Sequence, residues 1–246
     1  MTEIKVAHTR VSMIRAPTSS ASRTYRRGQA EWALWQVSLA GRPGADRIAP
    51  TFRTRVKRLL EIDRAGGFKG AAGALAFSED APEGTGVDAE FTAYDVFILA
   101  LGLDLLRMGF VQSEVVLLMG FLRGALAAVF AKIIKDPPGL QRRSGRGRGQ
   151  PTDQQQDRLV FLLLERVDLA EEFPAFHETG RRGASPIYKA PKVCHGADAL
   201  KGELARMDQV FRRALILELS HTAAGVSQFL ENAPAVRRGR PSSQSE

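Results

Sequence analysis

Between residues 91 and 135 apolar side chains recur every three or four positions: Val96, Leu99, Ala100, Leu103 and Leu106, then Val115, Leu118, Met119 and Leu122. That period puts each set on one buried face of a helix. Thr92 stands where the first helix needs an N-cap, with Asp95 three positions on, where the helix's positive end favours a carboxylate. Gly109 ends this helix, and Ser113 with Glu114 opens the next, a hydroxyl and an acid both suiting a first turn. The expectation is a tightly linked helical hairpin.

The same patterning yields weaker elements on either side. A helix begins near Arg26 and carries Trp32, Leu34, Trp35, Val37 and Leu39 toward Gly41; its two tryptophans share a face, which anchors a core or offers a stacking platform. Pro50 and Thr51 lead into a second helix in which Phe52, Val56, Leu59, Leu60 and Ile62 line an inner face. Residues 65–90 hold six glycines and one proline and predict loops, with one short strand around Leu75 to Phe77. Further on, RLVFLLLERVDL and VFRRALILELS read as short buried strands, though helix is open for both. Ala197–Met207 and Thr222–Leu230 read as helices, the latter ended by Asn232 and Pro234.

Charge changes the picture. The chain is 246 residues long with a net charge of +8 and a pI near 10.0, which points to a polyanionic partner. The excess is local: residues 1–70 carry a net +9 and residues 71–136 a net −5. Arg53, Arg55, Lys57 and Arg58 fall within six residues at the start of the second helix. Such crowded cations repel one another unless an anion lies beside them, and a helix seated in a major groove has phosphates on both sides. A solvated basic face without a ligand is the plainer reading.

The hairpin at 91–123 resembles the second helix pair of the MerR family of winged helix-turn-helix regulators. Thr92 takes the cap, Asp95 and Val96 the acidic and aliphatic pair, Gly109 and Phe110 the corner, and Glu114 and Val115 the pair that opens the following helix. These positions are also those of any buried helical hairpin. The resemblance gives the 50–64 helix the recognition-helix place, with Thr51, Phe52 and Arg53 where the family has Thr-Leu-Arg, and a wing-like hairpin at 65–90. The family's aromatic pair and glutamate after that arginine are missing, the first-helix signature is not recognisable, and the segment before Asp95 is longer, so individual base contacts do not carry over.

The resulting expectation is a mainly α protein: a flexible basic arm (1–25), a MerR-like winged helix-turn-helix domain (26–135), a basic linker (136–157), a small α+β C-terminal domain (158–233) and a disordered basic tail (234–246). Its partner is double-stranded DNA, bound by Thr51, Arg53, Arg55, Lys57 and Arg58, with Arg26 and Arg27 on the backbone. Arg146 and Arg148 in the linker and Arg238 and Arg240 in the tail add sequence-independent affinity. The tail sequence Arg-Gly-Arg-Pro resembles an AT-hook core, and general electrostatic binding explains it as well. Transcription regulation follows from the resemblance alone; the C-terminal unit is open to two readings, sensing a ligand or mediating dimerisation, and the expected partners are a second copy of the chain and an effector of unnamed chemistry at that domain.

Other chemistry finds little support. A single cysteine excludes an intrachain disulfide, no apolar leader is visible, and Arg123 and Lys132 interrupt the apolar stretch at 115–134, so the chain is expected to be cytoplasmic, nucleoid-associated and off the membrane. No glycine-rich phosphate loop and no histidine motif of a metal site is present. Cys194 beside His195 is the one tempting pair, but neighbours in sequence rarely point at one centre. No catalytic residue, metal or cofactor is expected. The competing readings are an adaptor that docks an acidic protein through the basic N-terminal surface and, more remotely, a small hydrolase or transferase in the C-terminal unit.

Overall fold

A computed structural model describes residues 23–39, 47–65, 75–78, 89–137, 157–165, 191–207 and 214–234. The protein is mainly helical with a small sheet. Its elements are β1 (Tyr25–Arg26), α1 (Arg27–Leu39), α2 (Pro50–Ala65), β2 (Glu90–Phe91), α3 (Ala93–Arg107), α4 (Gln112–Lys135), β3 (Val160–Glu165), β4 (Lys192–His195), α5 (Ala197–Ala205), β5 (Ala214–Glu218) and α6 (Ser220–Glu231).

The α3–α4 hairpin is the centre of the core, as its periodicity predicts. Val96, Leu99, Ala100, Leu103, Val115, Leu118, Met119 and Leu122 are all buried. Thr92 and Asp95 form a reciprocal capping box: the hydroxyl accepts from the Asp95 amide, and the Asp95 carboxylate accepts from the Thr92 amide. Thr92→Ala is expected to lower stability by about 1 kcal/mol, read as a lower urea midpoint with an unchanged m-value. At the other end the amides of Gly109 and Phe110 reach back to the carbonyls of Leu106 and Leu105, which closes the helix through a left-handed Gly109 at φ 92°. Ser113 does not cap α4. Val111 holds that position without a side-chain bond, because the corner places the helix start one residue before Ser113.

Residues 75–78 are irregular, and the strand expected at Leu75–Phe77 does not form. The amides of Ala76 and Phe77 donate to the Asp63 carboxylate of α2, at 2.8 and 3.0 Å, instead of to a neighbouring strand. The Phe77 ring lies against α3: a Cβ on Gly102 would come within 3.0 Å of it and 3.2 Å of Val115. Gly102 thus permits a three-way approach that a side chain would obstruct. At the ends of the expected wing, Ala65 closes α2 and Glu90 pairs with Arg26 of β1; residues 66–74 and 79–88 lie outside the described residues.

Within the two apolar runs of the C-terminal segment, Val160–Glu165 and Ala214–Glu218 are strands, and a third, β4, joins them in an antiparallel order β4-β3-β5. Leu162 pairs with Val193 and Leu217, and Leu163 with Lys192 and Ile216. Alternation along β3 sends Val160, Leu162 and Leu164 into the helical core and Leu163 to the opposite face. On the β4 side α5 packs against the sheet. The helix expected at 222–230 is α6, and it packs against α1, α3 and α4. Trp32 meets Phe229 edge-on at 6.0 Å, and Ala223, Val226 and Leu230 share one hydrophobic core with the α3–α4 hairpin. The described parts of 26–135 and 158–233 are therefore joined by a continuous core.

Candidate nucleic-acid interface

Helix α2 begins at Pro50, whose missing N–H would have no helical partner in any case. The Phe52 and Arg53 amides bond the Ala49 carbonyl at 3.0 and 3.2 Å. Phe52, Val56, Leu59 and Leu60 are buried, with Phe52 edge-on to Trp35 at 5.1 Å, and the helix packs on α4. Both tryptophans are thus core anchors. Fixing that inner face turns Thr51, Arg53, Arg55, Lys57, Arg58 and Arg64 outward, and all six are exposed.

The helical repeat distributes the outward cations on two flanks. Arg53, Lys57 and Arg64 fall on one, Arg55 and Arg58 with Thr51 on the other. A helix with cations on both shoulders suits a groove bordered by two phosphate chains. Lys57 lies 3.5 Å from Glu61, but both are more than half exposed, so solvent screens the pair and Lys57 stays available to a stronger anion. Arg55 and Arg58 have no ion pair among the described residues.

Arg26 and Arg27 stand where β1 enters α1. The Arg26 amide is taken by the Gln29 side chain at 3.1 Å, and Arg26 pairs with Glu90 in the β1–β2 ladder. Arg27 and Arg53 are brought together by Glu31, a buried acid that the charge pattern did not single out. Arg27 Nε donates to one of its oxygens at 2.8 Å, and Arg53 Nε lies 3.6 Å from the other. The Arg27–Glu31 spacing of four was a signal in the sequence; the Arg53 contact crosses between helices and was not. Arg146, Arg148, Arg238 and Arg240 lie outside the described residues.

Behind the C-terminal end of α2 sits a polar network that the sequence did not announce. Arg123 of α4 donates to the Asp95 carboxylate and, at 3.1 Å, to the Ala76 carbonyl, with its guanidinium 5.3 Å from the centre of the Tyr94 ring. Asp63 closes the network from α2 through the Ala76 and Phe77 amides. Burial pushes the Asp63 carboxyl above its ordinary value, opposed by those two amides and by the charges of Arg123 and Arg64. Arg123 therefore faces a carboxylate from α3 and lies near one from α2, and it holds the 75–78 segment between them. This helix, α4, is the one described helix long and apolar enough to cross a membrane; here it packs against α2, α3 and α6 with that arginine inside.

Cys194 and His195 do not form a couple. They are consecutive on β4 and so point to opposite faces, Cys194 buried and His195 exposed. Burial pushes the thiol upward, aided by the Glu203 charge; burial and the Lys132 charge hold the imidazole below its usual value. Alkylation of Cys194 at pH 8 is expected to be slow in the folded protein and fast in urea, as mass spectrometry would show. Beside it Lys192 bridges Glu203 at 2.7 Å and Glu165 at 3.3 Å. Among the described residues no three His, Cys, Asp or Glu side chains come together as a metal site.

No protein-family model, curated protein or solved structure matches this chain.

Proposed function

We propose that this protein binds double-stranded DNA in a sequence-specific manner through α2 and regulates transcription, as a cytoplasmic homodimer built around a MerR-like winged helix-turn-helix arrangement. The observation that carries the reading is the shape of α2. Its inner face is locked into the core, and Arg53, Arg55, Lys57, Arg58 and Arg64 stand exposed along its two flanks.

In this reading the flanking cations grip phosphates and fix the helix in the groove, while Thr51 and an arginine of the first turns reach base edges. Arg26 and Arg27 add backbone contacts at the start of α1. A homodimer would read two related half-sites separated by about one turn of DNA, roughly 34–36 Å. The test is selection of bound duplexes from a random-sequence pool by the full chain, followed by sequencing. Enrichment of a two-fold-related motif is the expected result; recovery of the input distribution would overturn sequence specificity.

A further inference from the structure

The acids near the basic helix differ in what they do. Glu61 is more than half exposed, and its pair with Lys57 is screened by water. Asp63 turns inward and is occupied by two backbone amides. Glu31 alone among the described acids touches the proposed DNA-contacting arginines from the protein side. Its side chain is 9% exposed, with Arg27 on one oxygen and Arg53 near the other, while Arg53 itself is 59% exposed. A buried carboxylate cannot exchange its cations for water without a large desolvation penalty, so Glu31 keeps its hold when a duplex approaches.

We propose that Glu31 is a specificity-determining residue, an electrostatic brake on sequence-independent DNA binding. By engaging Arg27 and Arg53 from behind, it prevents either from neutralising a phosphate at full strength and limits the rotation of Arg53 over the surface. This rests on the DNA-binding reading above. The sequence-independent part of affinity scales with the number of phosphates neutralised, so a residue that withholds about one cation lowers it selectively. The base-edge contact of Thr51 and the phosphate contacts of Arg55 and Arg58, none of which touches Glu31, are unaffected.

The test is a fluorescence-anisotropy titration of the full-length protein with a random-sequence duplex of about 30 bp at several salt concentrations. Glu31→Gln is compared with wild type, Arg53→Ala and the double variant. Glu31→Gln is expected to bind about eightfold more tightly near 0.1 M salt, with a log–log salt slope steeper by about 0.9, equivalent to one more phosphate. In the Arg53→Ala background that gain shrinks. A lower melting temperature with unchanged affinity and slope would reduce Glu31 to a structural residue, and a gain of the same size without Arg53 would overturn the assignment. Should Glu31→Gln not fold, Glu31→Asp keeps the charge but draws it back from Arg53; a slope between wild type and the steeper value supports the brake, and the wild-type slope contradicts it. Wild-type protein that binds no duplex overturns the DNA reading and this inference together; binding that the variants leave unchanged overturns only the inference.

Discussion

Replacing Arg123 with methionine is expected to destabilise the protein by about 3–5 kcal/mol, the range for removing one partner of a buried ion pair. The side chain of Asp95 is 2% exposed and would be left in the core without its guanidinium partner, and the Ala76 carbonyl would lose its donor. Asp63, already pushed upward by burial, would lose a nearby cation as well. At roughly 2–4 °C per kcal/mol for a chain of this size, the melting temperature should fall by roughly 6–20 °C. A double-mutant cycle sharpens the attribution. Asp95→Asn/Arg123→Met should be less destabilised than the sum of the single variants, because the second change removes the charge that the first exposes. Additive losses would mean that the pair contributes little beyond packing.

The second large effect concerns binding. Arg55→Glu/Arg58→Glu reverses two cations that have no acidic partner among the described residues, so the fold loses little. Two fewer neutralised phosphates amount to roughly sixtyfold near 0.1 M salt, and repulsion from the new carboxylates carries the expected loss to about a hundredfold or more. The salt slope should become shallower by about two units. Thermal unfolding should stay close to wild type, since surface substitutions away from packed or hydrogen-bonded groups usually change stability by about 0.5 kcal/mol or less.

Local signals in the sequence carried the helical hairpin. Thr92, Asp95 and Gly109 act within four residues of their partners, so spacing and residue type were enough to place the cap and the corner. The inner face of α2 and the strands at Val160–Glu165 and Ala214–Glu218 were legible for the same reason: period and apolar runs reflect burial directly. What stayed hidden depends on contacts between distant residues. Ala76 lies 47 positions from Arg123, and a short apolar run there looked like a strand because nothing local shows that Asp63 claims its amides. Strand β4 spans four residues with a lysine and a histidine at its ends, too short and too polar for a pattern. The seating of α6 on α1, with Trp32 against Phe229, crosses most of the chain. In the candidate interface the cations of α2 were visible as a charge run, whereas Glu31 looked like one more helix acid until folding placed Arg53 beside it.

The reading of α2 as a DNA-binding helix is tested most directly by the salt dependence of duplex affinity, measured by anisotropy for wild type and Arg55→Glu/Arg58→Glu on random and genomic duplexes. If α2 reads DNA, some genomic duplexes bind far more tightly than random sequence, and the wild-type slope is steep and flattens by about two units in the variant. Weak binding that is indifferent to sequence and unchanged by the variant would contradict it, and would turn attention to an acidic protein partner for the same surface.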